Sequence, residues 1–165
     1  MHIGESFVGA GPNAAHINTV LGHRDGPAGT AWATALATPT RGHAPFMAVL
    51  RPNLPVKPPT LFVNKAAITD DKHGELTWGP AQAGVAAGVA DAVADGVIPS
   101  ESADGLVLIT AVWVNPAADD PDEVYRNNRE ATREALANGA SGSPDLDDVL
   151  AARTRPANPF FDAPE

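Results

Sequence analysis

One stretch of the chain restricts its possible folds more than any other. Residues 106–114, LVLITAVWV, are apolar almost throughout. The stretch is far too short to cross a bilayer as a helix. A strand with no polar face is typical of a position that is covered on both sides. We therefore expect residues 106–114 to form a strand that is buried on both faces.

Strand and helix signals alternate along the rest of the chain. Apolar and alternating runs predict strands at residues 3–8, 15–21, 45–50 and 60–68. Helix start and stop signals, mainly proline and glycine, predict four helices. They run from Pro27 to about Ala37, from Gly79–Pro80 to Gly96, from Asp119 or Asp120 to Gly139, and over residues 145–152. We expect an α/β (α+β) fold: one mixed sheet with helices packed on one face.

The length, charge distribution and cysteine content of the chain exclude several classes of function. The 165 residues fit a single domain, residues 1–165, with a proline-rich tail from about residue 141. Residues 1–69 carry a net charge of +3 and residues 70–165 a net charge of −12. The acidic second half argues against nucleic acid or an anionic membrane as a partner. The chain has no cysteine, which excludes disulfides and thiol chemistry. We expect a soluble, cytoplasmic protein.

Neither the glycine-rich motif nor the histidines of this chain meet the requirements of a cofactor or metal site. Residues 9–14 match G-x-G-x-x-A, but a strand-like HINTVL follows where a dinucleotide-binding fold needs a helix. The five histidines have no metal-ligand spacing, so we expect no metal site.

Two polar side chains stand out because of the strands that carry them. Alternation puts His16 and Asn18 on one face of the strand 15–21, beside a glycine-rich turn. Lys65 shares a face with Leu61 and Val63 on the strand 60–68. His16 is either a hydrogen-bonded structural residue or a general acid, since imidazole titrates near neutrality. Lys65 either packs its stem while its amine reaches water or holds an anion.

Four stretches make the chain similar to a known family. They are GESFVGAGPNAAHINTVLG around His16, AVLRPNLPVKPPTLFVNKA before and at Lys65, GPAQAGVAAGVADAVADGVIPSESADGL, and AADDPDEVYRNNREATREAL. Together with the NPFF of the tail they span nearly the whole chain in order. The chain resembles the formaldehyde-activating enzyme family, the 5,6,7,8-tetrahydromethanopterin hydro-lyases.

The resemblance implies a fold, an assembly and a reaction. The fold is a two-layer α/β sandwich with a left-handed βαβ crossover, which departs from the usual handedness rule. The assembly is a ring-shaped homopentamer that binds its ligand between neighbouring subunits. The reaction condenses formaldehyde with tetrahydromethanopterin to methylene-tetrahydromethanopterin and water. The pterin is a co-substrate, and no tightly bound cofactor is implied.

The resemblance also assigns site residues. His16 matches the catalytic proton donor, and Lys65 and Gln82 match ligand-binding positions. Three further binding positions differ from the family: Asn18 replaces an aspartate, Met47 a leucine and Ala67 a threonine. The changes at 18 and 67 remove a charge and a hydroxyl from the pterin-contacting face.

These differences keep other functions open. The chain is either the formaldehyde-condensing enzyme or a paralogue that acts on another amine or pterin. A third reading is a non-catalytic formaldehyde- or pterin-binding protein, although the intact His16 favours an enzyme. Lys65 has a second chemical option, since an amine can form a Schiff base with formaldehyde.

Overall fold

The fold is known from a computed structural model that describes residues 1–68 and 70–164. Its strands are β1 (His2–Val8), β2 (Ala15–His23), β3 (Phe46–Met47), β4 (Val49–Arg51), β5 (Leu54–Pro55), β6 (Thr60–Asn64), β7 (Leu106–Trp113), β8 (Ala157–Asn158) and β9 (Phe161–Asp162). Its helices are α1 (Pro27–Ala37), α2 (Asp71–Leu76), α3 (Gln82–Ala94), α4 (Pro121–Ser141) and α5 (Leu146–Ala152). A π-helical turn, Thr77–Ala81, joins α2 to α3.

The main sheet is mixed, as the sequence predicts. Five strands lie in the order β1–β2–β7–β6–β3. All neighbours are antiparallel except β6 and β7, which run parallel. A parallel pair needs a crossover, and the chain between β6 and β7 supplies it with α2 and α3. β4 and β5 form a separate hairpin, and β8 and β9 form another in the tail.

The two faces of the sheet differ in their cover. On one face Ile17, Phe62 and Val112 are fully buried in a core that α3 and α4 complete. On the other face α1 covers one end, where Gly22 lies against Ala28. The remaining part of that second face carries half-buried side chains.

Burial along β7 corrects one expectation. Leu108, Thr110 and Val112 are buried, whereas Ile109 and Trp113, on the opposite side of the strand, are half-buried. The expectation of burial on both faces is therefore wrong for the end of β7 near Trp113, because no helix in the described part of the chain covers that end of the second face.

Helices α3 and α4 pack unusually closely. A Cβ on Gly84 would lie 2.5 Å from the carbonyl oxygen of Tyr125, and a Cβ on Gly88 would lie 2.6 Å from that of Arg129. The four-residue spacing of Gly84 and Gly88 thus lets the two helix backbones approach each other.

Asp120 caps α4 by accepting hydrogen bonds from the backbone of its first turn.

Several element boundaries differ from the prediction. The predicted strand 45–50 is split into β3 and β4, β6 ends at Asn64 rather than residue 68, and α2 was not predicted. The expected terminal glycine of α4, Gly139, lies inside the helix against the backbone of β1, and Gly142 takes the left-handed conformation instead, with φ +72°. None of the helices in the described ranges is long and apolar enough to span a membrane.

The close approach of α3 and α4 makes a testable prediction. Alanine at an ordinary helical glycine stabilises a protein by up to about 1 kcal/mol. At Gly88 the added methyl would collide with the Arg129 carbonyl and, at 2.8 Å, with Cβ of Thr132. We expect Gly88→Ala to lower the free energy of unfolding by about 1–3 kcal/mol. Urea denaturation measures the change.

The control for this experiment is Gly79→Ala, because an added Cβ there meets no atom within 4 Å. This variant is expected to unfold at the same urea concentration as the wild type or a higher one. Equal stability of Gly88→Ala and the wild type would contradict the packing argument.

Candidate active site

A cavity of about 590 Å³ opens on the uncovered part of the second sheet face. Strand residues form its floor, and the tail forms one wall. Its lining consists of Glu5, Phe7, His16, Asn18, Lys65, Trp113 and residues 157–160. Four separate segments of the sheet and the tail therefore meet at one site.

Strand register brings the floor of the cavity together. His16 lies opposite Phe7 on β1 and opposite Trp113 on β7. Asn18 lies opposite Glu5 and Ala111 in the same way. Directly paired residues point to the same side of a sheet, and all of these except Ala111 line the cavity.

His16 contacts a carboxylate within the cavity. Its Nε2 lies 2.8 Å from Oε1 of Glu5, and its side chain is 37% exposed. The ring of Phe7 lies 5.9 Å from the imidazole ring, tilted by 51°. His73 shows the contrasting arrangement: it is buried, and its Nε2 bonds the carbonyl of Val114. His16 is thus the partly open histidine that can exchange a proton with a bound molecule.

Lys65 crosses the floor of the cavity to β2. Its Nζ donates a hydrogen bond of 2.7 Å to Oδ1 of Asn18. Burial disfavours the ammonium form and lowers the pKa of Lys65 from 10.5 to about 8, although the charge of Glu5 acts in the opposite direction. At neutral pH Lys65 is therefore a cation that loses its proton more easily than an ordinary lysine.

Aromatic rings provide the apolar walls. The ring of Phe160, in the turn between β8 and β9, meets Trp113 edge to face, with 5.9 Å between ring centroids and an angle of 85°. Phe160 is nevertheless 78% exposed, so one side of its ring is free. Apolar ring surface beside a few polar groups is typical of sites that bind a small, partly polar molecule.

The six site residues predicted from the sequence fall into two groups, those that line the cavity and those that do not. His16, Asn18 and Lys65 line the cavity, whereas Met47, Ala67 and Gln82 do not. Met47 lies on the edge strand β3, and Ala67 follows β6. Gln82 begins α3, on the other side of the sheet, and its Oε1 accepts a hydrogen bond from the backbone N–H of Val49. Within one chain the second group does not share the cavity.

Glu5 and Trp113 line the cavity although no sequence pattern predicted them as site residues. Both lie in predicted strands, and the alternation of β1 and β7 would have placed them on a common face. What the sequence lacks is the strand order, which brings β1 and β7 to either side of β2. Among the described residues no cluster of three or more histidine, aspartate or glutamate side chains could hold a metal ion.

The lowered pKa of Lys65 can be tested with an amine-acylating reagent. Only the neutral amine reacts, so the labelling rate of Lys65 should stop rising slightly above pH 8, whereas an ordinary lysine gains reactivity up to about pH 10. Mass spectrometry of the labelled peptides measures each site. Lys72, which is exposed on α2, is the internal reference.

Loss of this labelled peptide in Lys65→Met would confirm its assignment. A Lys65 rate that keeps rising to pH 10 would contradict the effect of burial.

Comparison with known proteins supplies the identity of the fold. The family model described as formaldehyde-activating enzyme matches residues 3–161. The chain is 44% identical over 158 residues to a 5,6,7,8-tetrahydromethanopterin hydro-lyase of Methanosarcina barkeri, covering 96% of this chain and 89% of the relative. It is also 44% identical to a bifunctional enzyme Fae/Hps of Archaeoglobus fulgidus, covering 96% of this chain and 40% of that longer protein. By its sequence and the extent of these matches, the chain belongs to the formaldehyde-activating enzyme family.

Proposed function

We propose that this chain is a hydro-lyase that condenses formaldehyde with tetrahydromethanopterin, giving methylene-tetrahydromethanopterin and water. The observation that carries the proposal is the half-open His16 in a cavity with aromatic walls, in a chain of this family. A relative that the chain matches over 89% of its length is named for this pterin. We place the reaction in the cytoplasm.

The chemistry needs one acid. An amine of the pterin adds to formaldehyde to give a carbinolamine, and loss of water from it gives an iminium ion that the second amine traps. Hydroxide is a poor leaving group, so His16 protonates it as it departs. The pterin enters and leaves as a substrate, and the proposal needs no tightly bound cofactor.

The remaining groups of the cavity bind the pterin. Its rings pack against the apolar surface that Trp113 and Phe160 offer. Lys65, held by Asn18, supplies positive charge for an anionic part of the ligand. Asn18 itself keeps its amide N–H groups available as donors, because Lys65 occupies its oxygen.

The other nominated residues complete the site from a second copy of the chain. Met47, Ala67 and Gln82 are proposed ligand-binding residues that do not line the cavity of their own chain. A ligand bound between neighbouring subunits would contact both groups, with His16, Asn18 and Lys65 on one subunit. We therefore propose a homopentameric ring with its ligand sites between subunits, and a left-handed βαβ crossover in each.

Two exposed apolar surfaces support assembly. Helix α1 contains no charged residue, yet Ala28 is its only buried residue and Leu36 is 39% exposed. Helix α5 presents Leu146, Val149 and Leu150 on one face without cover. Surfaces of this kind on a soluble chain are typical of contacts with another subunit.

A second candidate function rests on Asn18. The neutral amide, bonded to Lys65, replaces the aspartate that the family resemblance implies. Charged hydrogen bonds are roughly twice as strong as neutral ones, so a pterin amine is held less tightly here. A paralogue that condenses formaldehyde with a different amine or pterin would fit this change. A binding protein without turnover is disfavoured by the open His16.

The role of His16 can be tested by substitution. We expect His16→Ala to lower kcat for formaldehyde consumption by about 10²- to 10⁴-fold, which is the usual contribution of one general acid. Pterin affinity should change little. His23→Ala is the control, because His23 is exposed at the far end of the same strand.

Wild-type turnover in His16→Ala would exclude His16 as the acid. Wild-type protein that consumes formaldehyde only with another amine or pterin would favour the paralogue, and pterin binding without consumption would favour the binding protein.

Assembly can be measured by light scattering. We expect a stable particle of about five times the 17.0 kDa mass of the chain. Leu36→Glu places a charge on the apolar face of α1 and should dissociate it, because an unpaired charge is costly to bury. Lys72→Glu, on the exposed surface of α2, is the matched control. A wild-type monomer at micromolar concentration would contradict the assembly.

A further inference from the structure

The proposed reaction assigns no role to Glu5. Among the described residues that line the cavity it is the only acid. It lies diagonally across from His16 in the β1–β2 register, and its Oε1 is 2.8 Å from Nε2 of His16. The Glu5 side chain is 59% exposed, so no core packing holds it in place. Its recorded side-chain partner is the imidazole.

We infer that Glu5 is the positioning residue of His16, fixing Nε2 as the protonated ring nitrogen and leaving Nδ1 to exchange the proton with the substrate. This inference rests on the proposed function, because it assigns an atom to the acid step of that reaction. It adds a residue that neither the sequence pattern nor the family resemblance supplied.

The hydrogen-bonding capacity of a carboxylate determines which nitrogen of a neighbouring imidazole carries the proton. An ionised carboxylate can only accept, so the ring nitrogen that faces Glu5 must carry a hydrogen. In the neutral imidazole the other nitrogen, Nδ1, is then an acceptor, and in the imidazolium it is a donor. The carboxylate thus keeps one tautomer in place while the opposite nitrogen gains and loses its proton.

Nδ1 gives up one proton during the reaction and receives one back at its end. The imidazolium gives its Nδ1 proton to the carbinolamine hydroxyl. The C–O bond breaks, its electron pair leaves with the oxygen as water, and an iminium ion remains. The second amine attacks the iminium carbon and forms the new C–N bond. That amine then loses its proton to Nδ1, which regenerates the imidazolium. The bond from Nε2 to Glu5 persists through every step.

Glu5 also acts on a second cation. The titratable groups that line the cavity are Glu5 from β1, His16 from β2 and Lys65 after β6; β7 and the described part of the tail contribute none. The charge of Glu5 raises the pKa of Lys65 against the larger effect of burial. Neutralising Glu5 should therefore move the titration of Lys65 to lower pH, an effect that loss of local packing alone would not produce.

The experiment compares three variants with the wild-type protein. Glu5→Gln keeps the shape and removes the charge, and Glu5→Asp keeps the charge on a shorter side chain. Glu101→Gln removes a carboxylate from an exposed turn far along the chain. We expect Glu5→Gln to lower kcat about tenfold or more with a smaller change in KM for the pterin. Glu5→Asp should recover part of the loss, and Glu101→Gln should match the wild type.

Nitrogen-15 spectra of the His16 ring provide a readout that needs no turnover. At high pH the wild type should show the Nε2–H tautomer. In Glu5→Gln that preference should be lost, because an amide can either accept from Nε2–H or donate to bare Nε2. The acylation midpoint of Lys65 should also fall in this variant.

The outcomes separate the inference from the proposed function. A wild-type protein with no turnover would refute the function, and the His16 spectra would still decide whether Glu5 positions the ring. A Glu5→Gln variant with wild-type kcat would overturn the inference. So would a loss of kcat with an unchanged His16 tautomer, since Glu5 would then act by another route.

Discussion

The pairing of β2 with β1 on one side and β7 on the other is the constraint on which the site depends. Alternation along β2 sends Ala15, Ile17 and Thr19 into the core and His16 and Asn18 into the cavity. A slip of one residue would exchange the two sets and bury an imidazole and an amide among apolar side chains. The free energy gained by the core therefore also fixes the register of the polar groups, and with it the position of the His16 backbone beside the cavity.

Within the cavity, charge is arranged along two short links between strands. Glu5 meets His16, and Lys65 meets Asn18, so each link joins a nitrogen atom to an oxygen acceptor. With a neutral residue at position 18, Glu5 is the only carboxylate on the cavity wall among the described residues. Burial of Lys65 is then only partly offset, which is why its pKa falls to about 8. Asn18 thus gives Lys65 a neutral acceptor, while Glu5 supplies a charge that opposes the effect of burial.

Much of this arrangement can be read from the sequence, and the rest has identifiable reasons for being missed. Helix α1 has the predicted bounds, and the shared face of His16 and Asn18 follows from period-2 alternation. The strand 45–50 is split because β3 pairs with β6 whereas β4 pairs with β5. The residue pattern of a single strand does not show which strands it pairs with. The place of Gly139 inside α4 follows from its contact with β1, a tertiary contact that overrides a local end signal. Glu5 joins the site only through strand order, which is not encoded in any single segment.

The proposed reaction explains why a half-exposed histidine is sufficient. Condensation of an amine with formaldehyde proceeds readily in water, so the protein has to supply one well-placed proton rather than a deeply preorganised pocket. An acid contributes about 10²- to 10⁴-fold to such a step. Selection of the amine is a different matter, because an unmatched hydrogen-bonding group costs about 1–3 kcal/mol. A change at Asn18 therefore acts first on which ligand is held, while the proton transfer at His16, anchored on the opposite link, is left intact. In the proposed mechanism, binding and proton transfer depend on separate groups, so a change of ligand does not require a new acid.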